Sequence, residues 1–273
     1  MNRGFCLLAQ NNKDTNYIRQ AYALALSLHK YNTGQRISLI TNDIVPKEWQ
    51  SVFDQIIPIP WTDSAEDSDW KIENRWKVYH ASPYDETIVL EADMLITQDI
   101  THWWDELSKH DLFFVSNVKT YRNETVDSRF YRKTFDANNL PNLYSALHYF
   151  KKGNTAKEFY ILLEIIVNNW ELFYTRYAKE EYQKWCSIDV CAAIASKILG
   201  NEKEITNPNS FITFTHMKTR LQKWKNIPNN WTSVLGQYFR DDGTLLLGNY
   251  VQTNVLHYVE DNFLKDSVIE KLK

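Results

Sequence analysis

The most informative segment of this chain reads Thr87-Ile88-Val89-Leu90-Glu91-Ala92-Asp93-Met94-Leu95-Ile96. An apolar run leads into two carboxylates spaced one residue apart, and a second apolar run follows. The first run, Ile88-Val89-Leu90, predicts a strand buried on both faces, as in a parallel sheet. Because an unpaired buried carboxylate is costly, two acids at the end of such a strand call for an explanation.

One explanation is a cation site. Glu91 and Asp93 project from the same side of an extended chain, since side chains alternate with period 2. Two hard oxygen donors on one face can hold a divalent cation and leave coordination positions open for phosphate oxygens. The alternative is a strand end that runs into solvent, with acids at a turn. The spacing alone favours neither interpretation.

Composition indicates a single globular domain over residues 1–273. The chain is 44% hydrophobic and 24% charged, which suits one large core. Its net charge of −3 excludes a global basic field, so any polyanion must bind local patches. The three cysteines, Cys6, Cys186 and Cys191, lack metal-ligand spacing and favour reduced thiols in a cytoplasm. No apolar run approaches the about 20 residues of a membrane helix, so we expect no membrane partner.

The order of apolar segments predicts an α/β fold. Strands are expected at residues 5–9, 37–41 and 56–59, with helical patterns between them. Strand, helix, strand, helix, strand is typical of a parallel sheet covered by helices. Helices are expected at residues 71–81, 155–169, 171–181 and 187–198. The last part is β-rich, with a hairpin turn at Asp242-Gly243.

With its acidic motif at the end of a central strand, the chain resembles the GT-A glycosyltransferases, nucleotide-diphospho-sugar transferases of the glycogenin-like type. The resemblance covers roughly the first 200 residues and a histidine near the C-terminus. It implies a Rossmann-like, mixed but mainly parallel sheet flanked by helices, with a β-rich C-terminal extension. Residues 1–116 would be the nucleotide-sugar-binding half, and residues 117–273 the acceptor-binding half with the extension.

The resemblance also implies a metal centre. Glu91-Ala92-Asp93 occupies the place of the family's Asp-x-Asp motif, with Glu in the first position. Asp93 and His257 match the family's metal ligands, while Glu91 would contact the ribose or the metal through water. On its own, His257 in an apolar run is more often a core histidine. One histidine among oxygen ligands suits Mn²⁺ as well as Mg²⁺.

Further donor and catalytic residues follow from the same resemblance. The nucleotide sugar, a UDP-sugar by expectation, would contact the residues at the first strand end, on the helix before the acidic motif, and in two later segments: Ala9, Asn11, Tyr17, Arg75 or Lys77, Ser145 and Lys218. Asp189 opens a helix and, together with Glu91, is expected to be the catalytic carboxylate. Its alternative role is that of a helix N-terminal acid that interacts with the dipole.

Two basic stretches interleaved with aromatic residues predict an acceptor surface. One covers residues 119–133, inside a long polar loop expected at residues 117–139, and the other covers residues 216–225. The residues singled out there are Arg129, Arg132, Lys133, Arg220 and Trp224. Positive charge beside stacking surfaces suits a nucleic-acid backbone and an exposed base, although ordinary solvated loops have the same composition.

The chain is also similar to short glycosyltransferases of T-even-like tailed phages. This resemblance implies that the acceptor is a hydroxymethylated pyrimidine of phage DNA and that the protein acts in a host cytoplasm. The alternatives are a carbohydrate or lipopolysaccharide acceptor, and a non-catalytic nucleotide-sugar-binding module.

Overall fold

The apolar segments of the chain form strands that alternate with helices in a computed structural model, which describes residues 2–127, 131–224 and 230–273. The strands are β1 (Arg3–Leu8), β2 (Ile37–Ile40), β3 (Gln55–Ile57), β4 (Glu86–Leu90), β5 (Met94–Leu95), β6 (Leu112–Val115), β7 (Tyr144–Lys151), β8 (Phe214–His216), β9 (Gln237–Phe239), β10 (Leu245–Leu247), β11 (Tyr250–Val251) and β12 (Val255–His257). The helices are α1 (Tyr17–Tyr31), α2 (Lys47–Gln50), α3 (Val78–Ala81), α4 (Trp103–Leu107), α5 (Lys133–Ala137), α6 (Asn154–Asn168), α7 (Trp170–Tyr177), α8 (Ile188–Leu199), α9 (Glu202–Ile205) and α10 (Asp266–Leu272).

The central sheet has six strands in the order β3-β2-β1-β4-β7-β6. The first four are parallel, whereas β7 runs antiparallel to both β4 and β6. All five residues of β4 are buried, as the apolar run predicted. The predicted fold class, a mixed and mainly parallel sheet flanked by helices, is therefore confirmed.

Alternate residues of the central strands face two separate helical layers. Phe5 and Leu7 of β1 pack into the layer that contains α1 and α4, while Cys6 packs with α6 and α8 on the other face. Because both faces are covered, the strand sequences read as continuous apolar runs rather than alternating ones. None of the helices within the described residues is both long and apolar enough to cross a membrane.

A second sheet carries the end of the chain back to the centre. Its order is β5-β12-β8, with β12 antiparallel to β5 and parallel to β8. The register pairs His257 with Met94, and the Tyr258 backbone N–H donates to the Asp93 carbonyl at 3.1 Å. The predicted β-rich extension is confirmed, including a hairpin between β9 and β10 whose turn glycine, Gly243, has a φ of +88°.

Two predicted segments differ from the structure. The helix expected at residues 71–81 begins only at Arg75, as one 3₁₀ turn that leads into α3. Residues before it belong to a loop instead, because Lys71 has a φ of +52° and the Asn74 amide donates to Gln10 and Asp63. The long polar loop expected at residues 117–139 contains the short helix α5.

Candidate active site

Glu91, Asp93 and His257 meet at the carboxyl end of β4. Each residue offers one ligand atom, and the three atoms lie within 4.8 Å of one another. The Nε2 atom of His257 is 3.0 Å from Asp93 Oδ2 and 3.4 Å from Glu91 Oε2. Separated by 164 residues from Asp93, His257 arrives through the pairing of β12 with β5.

The donor set and spacing fit a divalent cation. Two ligands at right angles around an ion with bonds of about 2.1 Å lie about 3 Å apart, which matches the spacing of His257 and Asp93. Two carboxylates and one imidazole suit Mn²⁺ or Mg²⁺. His257 Nδ1 is buried and has no hydrogen-bond partner in the described parts of the chain. The imidazole of His216 stacks on His257 instead, with ring centroids 4.5 Å apart and planes 17° apart.

Electrostatics at this cluster favour charged groups. Burial disfavours ionisation of both partners, but Asp93 and Glu91 outweigh it and raise the pKa of His257 above its usual value. Burial likewise opposes ionisation of Asp93. The contact with His257 promotes ionisation more strongly, so the pKa of Asp93 is lowered. Because metal ligation requires the neutral imidazole, a divalent cation at this site would compete with a proton for Nε2 of His257.

Arg75 extends the cluster, whereas Lys77 does not. The Arg75 guanidinium donates from Nη1 to Glu91 Oε1 at 2.8 Å. Lys77 is 2% exposed, and its ammonium donates to the Thr62 carbonyl on the other side of the 3₁₀ turn. Of the two basic residues expected near the diphosphate, the structure thus places Arg75 at the acids.

A cleft opens beside Asp93. It is lined by Leu8, Gln10, Tyr17, Trp70, Lys71, Arg75, Ala92 and Asp93. Tyr17, expected to be a donor contact, lies on this wall, whereas Ala9 is buried behind it. The Asn11 amide oxygen accepts from the Ile18 backbone N–H and therefore shapes the loop that leads into α1.

Sequence reasoning did not single out Trp70 or Gln10. Trp70 is 79% exposed and stands on the cleft wall. Gln10 donates to Asp63 at 2.7 Å and accepts from Asn74 at 2.8 Å, which ties the acidic loop at residues 61–69 to the end of β1. A large aromatic residue directly after a short acidic loop was the available signal for Trp70. The network around Asp63 had none, because its members lie far apart in sequence.

Asp189 is fully engaged in hydrogen bonds. Its Oδ1 accepts from the Ser145 backbone N–H at 2.8 Å and hydroxyl at 2.5 Å, and its Oδ2 accepts from Arg132 at 2.9 Å. Burial opposes ionisation, yet Arg132 and Ser145 hold the pKa of this carboxyl below its usual value. A carboxylate with a lowered pKa is a weak base, and its hydrogen bonds hold Ser145 and Arg132 in place.

Arg132 differs most from its expected place. Its side chain is 6% exposed, and its guanidinium lies between the rings of Phe135 and Tyr144, at 3.8 and 4.0 Å from their centroids. The residue was expected on an acceptor-facing loop, but its ion pair with Asp189 turns it inward. A buried, paired guanidinium cannot contact a phosphate of an external polyanion.

The other residues expected to contact the acceptor lie at the surface, except Arg129, which is outside the described residues. Lys133 and Arg220 are exposed, and Trp224 is half-buried. The ring of Trp224 contacts Tyr121 at 5.7 Å, so the two basic stretches of the sequence do adjoin. Lys218, expected near the diphosphate, is exposed on a segment that follows β8.

Comparisons with known proteins describe the fold. No protein-family model matches the chain, and no curated protein matches it in sequence. The galactosyltransferase LgtC, solved with donor and acceptor sugar analogues, matches 94% of this chain and 87% of its own, with a TM-score of 0.53 and 12% identity. Mouse xyloside xylosyltransferase 1 matches 94% of this chain and 97% of its own, with a TM-score of 0.55 and 9% identity. The chain spans 45% of GlyE, a Streptococcus pneumoniae glycosyltransferase, at a TM-score of 0.45, which is too low to carry weight.

The chain therefore has the GT-A fold seen in these two glycosyltransferases, with a mainly parallel sheet, flanking helices and additional C-terminal strands. At identities of 9% and 12% these likenesses show the fold and leave the reaction open.

Proposed function

We propose that this protein is a metal-dependent glycosyltransferase that moves a sugar from a nucleoside-diphosphate sugar to a hydroxyl acceptor. The observation that carries the proposal is the cluster of Glu91, Asp93 and His257 at the end of β4, beside an open cleft. Three donors from two distant parts of the chain converge there with the spacing of metal ligands. A solvent-exposed turn would not need a buried imidazole 3.0 Å from one of its acids.

The reaction breaks the bond between the sugar C1 and the oxygen of the distal phosphate, and the bonding electron pair leaves with the diphosphate. The acceptor oxygen forms the new bond to C1, and its proton passes to water or to the departing diphosphate. A bound Mn²⁺ or Mg²⁺ would neutralise the charge that develops on the leaving group. Arg75 adds a second positive charge at the same place.

The donor nucleotide is proposed to lie in the cleft beside Asp93. Tyr17 and Trp70 provide aromatic faces on its walls, and such faces stack on nucleobases. A UDP-sugar is the first donor to test. Lys218 is proposed to approach the diphosphate from the segment after β8.

Among the carboxylates, we assign different roles to Asp189 and Glu91. Asp189 positions Ser145, because both of its oxygens already accept hydrogen bonds. Glu91 shares its oxygens between Arg75 and His257 and stands at the cation site, where it is proposed to act on the reacting end of the donor.

For the acceptor we propose a hydroxymethylated pyrimidine in duplex DNA, with a carbohydrate as the second candidate. Support comes from the contact between the two aromatic and basic stretches, where Tyr121 touches Trp224. Tyr250 of β11 packs against the same Tyr121 ring, and the Arg122 guanidinium lies 5.7 Å from it. Exposed Lys133 and Arg220 would add phosphate contacts.

Donor hydrolysis tests the enzyme class. Purified protein is incubated with Mn²⁺ and a panel of nucleotide sugars, and the release of free nucleoside diphosphate is measured. We expect release that EDTA abolishes and excess Mn²⁺ restores. A non-catalytic binding module would bind nucleotide without releasing any diphosphate.

Nucleoside mass spectrometry then tests the acceptor. Duplex DNA with 5-hydroxymethylcytosine is the substrate, and the same duplex with cytosine is the control. A mass gain of one sugar residue on the modified base is expected. If DNA stays unmodified while a glycan is extended, the carbohydrate alternative replaces the DNA acceptor.

The double variant Lys133→Ala, Arg220→Ala should flatten the salt dependence of DNA binding by about two phosphate contacts, because it removes two cations from the proposed DNA surface. The control double variant Lys157→Ala, Lys203→Ala should leave the salt dependence unchanged.

A further inference from the structure

A second cavity lies between the central sheet and helices α6 and α8. Its volume is about 30 Å³, and its lining residues are Leu8, Arg75, Val78, Val89, Leu90, Glu91, Phe114, Ser145, His148, Tyr160, Leu163, Ile188 and Ala192. It shares Leu8 and Arg75 with the cleft beside Asp93, and Glu91 belongs to its wall. The cavity therefore adjoins the place where the reacting end of a donor would lie.

The inner wall of the cavity consists of its lining residues other than Arg75 and Glu91, and the polar side chains of this wall are Ser145, His148 and Tyr160. The polar hydrogens of these three side chains are already donated. His148 lies 2.7 Å from the Ser145 carbonyl through Nδ1 and 2.8 Å from the Tyr160 hydroxyl through Nε2. Burial lowers the pKa of His148 to about 4, so the ring is neutral and this pair of contacts assigns its proton to Nδ1. Tyr160 then donates to Nε2, and the Ser145 hydroxyl donates to Asp189.

The rest of the inner wall is apolar. Val89 reaches it from the sheet, Leu163 from α6, and Ile188 and Ala192 from α8. A sugar hydroxyl placed there would lose its bonds to water and could accept no hydrogen bond from Ser145, His148 or Tyr160, whose hydrogens are already donated. The charged groups that could pair with a hydroxyl, Arg75 and Glu91, belong to the end of the cavity next to the cation site. A methyl group would lose nothing and would gain buried contact.

The volume of the cavity further limits which chemical group can occupy it. A volume of about 30 Å³ has room for about two water molecules, which suits one small substituent and not a whole pyranose ring. The ring would stay at the cation site, and one substituent would project past Glu91 into the cavity.

We propose that the donor sugar carries a methyl group that fills this cavity, as in the C6 methyl of a 6-deoxyhexose or the acetyl methyl of an N-acetylhexosamine. The inference rests on the proposed glycosyltransferase function and specifies its donor. Burying one methyl group, together with excluding a hydroxyl, corresponds to a preference of about tenfold or more over the matched hexose.

Matched donor pairs test this inference. Dissociation constants are measured by titration calorimetry with Mn²⁺ for UDP-N-acetylglucosamine against UDP-glucose, and for dTDP-6-deoxyglucose against dTDP-glucose, with UDP and dTDP as references. In at least one pair, the methyl-bearing donor should bind about tenfold or more tightly, and the pair identifies which of the two sugar classes is used. Equal or tighter binding of the hexose in both pairs would overturn the inference and leave the proposed function standing. Failure of every nucleotide to bind would overturn both.

Variants of Ala192 test the cavity itself. Ala192→Val fills the cavity, and we expect the tenfold preference to disappear while affinity for the unglycosylated nucleotide stays measurable as a reference. Ala195→Val is the matched control, because Ala195 is equally buried on α8 without lining the cavity. Ala192→Ser is the gentler variant if valine prevents folding, and its hydroxyl should shift the preference toward the hexose. An unchanged preference in a folded Ala192 variant would show that the methyl group binds elsewhere or that no such selectivity exists.

Discussion

Asp93 is held as a carboxylate by His257 and provides one of the three ligand atoms of the proposed cation site. Its replacement by alanine removes that atom and leaves the backbone of β5 intact. We expect Asp93→Ala to lower turnover by about 100-fold or more at saturating Mn²⁺, while circular dichroism shows that the variant still folds. Asp105→Ala, at an exposed acid on α4, is the control. Full activity of Asp93→Ala would remove this residue from the cation site.

The pair of Arg132 and Asp189 links an α5 cap to the start of α8. Breaking a buried ion pair leaves a charge without its partner, so Arg132→Met alone should destabilise the fold by about 3 kcal/mol. Removing both charges in Arg132→Met, Asp189→Asn should cost less than the sum of the two single changes. Urea unfolding of the four proteins measures the coupling. Simple additivity would mean that the two residues do not stabilise each other.

His148 makes the fold sensitive to mild acid. Burial lowers its pKa to about 4, whereas an unfolded histidine titrates near 6.5. As the pH falls from 7 to 5, the unfolded chain takes up a proton and the folded chain does not. This residue should therefore lower the free energy of unfolding by about 2 kcal/mol over that interval.

His148→Gln should lose this part of the pH dependence, because glutamine stays neutral. Urea unfolding at pH 7 and pH 5 measures the difference, with exposed His102→Gln as the control. An identical loss of stability in wild type and His148→Gln would show that His148 takes up its proton as readily in the folded chain as in the unfolded one.

At the scale of elements, β1 depends on close packing against Tyr84. A Cβ atom at Gly4 would fall within 2.8 Å of three atoms of the Tyr84 ring, whose hydroxyl is bonded to Ser38. Gly4→Ala should therefore destabilise the fold by about 2 kcal/mol or more. Gly236→Ala meets no atom within 4 Å and is the matched control. Thermal unfolding measures both, and equal stability of the two variants would contradict the packing of β1.

Elements with strong local signals were predictable from the sequence. The apolar run before Glu91 gave a buried strand, and the Asp242-Gly243 turn marked a hairpin. The start of α3 was not predictable, because the amide of Asn74 bonds to Gln10 and Asp63 across the fold and keeps the preceding residues out of the helix. Contacts between distant parts of the chain overrode local helix propensity there.

The same division applies to the candidate site. Glu91 and Asp93 were visible as acids after an apolar run, and His257 was visible through resemblance. The inward turn of Arg132 was not visible, because its partners Asp189 and Tyr144 are known only from the fold. A basic residue in a polar loop reads as a surface residue until its buried counter-charge is located.

At the scale of the whole molecule, the account depends on the end of the chain returning to the centre of the sheet. The pairing of β12 with β5 brings His257 to Asp93, which itself lines the cleft. Both halves of the chain must therefore be folded together before the three ligand atoms converge.

The most direct test is an anomalous difference map from a crystal grown with Mn²⁺ and UDP. The account predicts one manganese peak about 2.2 Å from oxygens of Glu91 and Asp93 and from Nε2 of His257, with the diphosphate completing its coordination in the cleft. A diphosphate bound in the cleft with no manganese at these three residues, or manganese bound elsewhere, would contradict it.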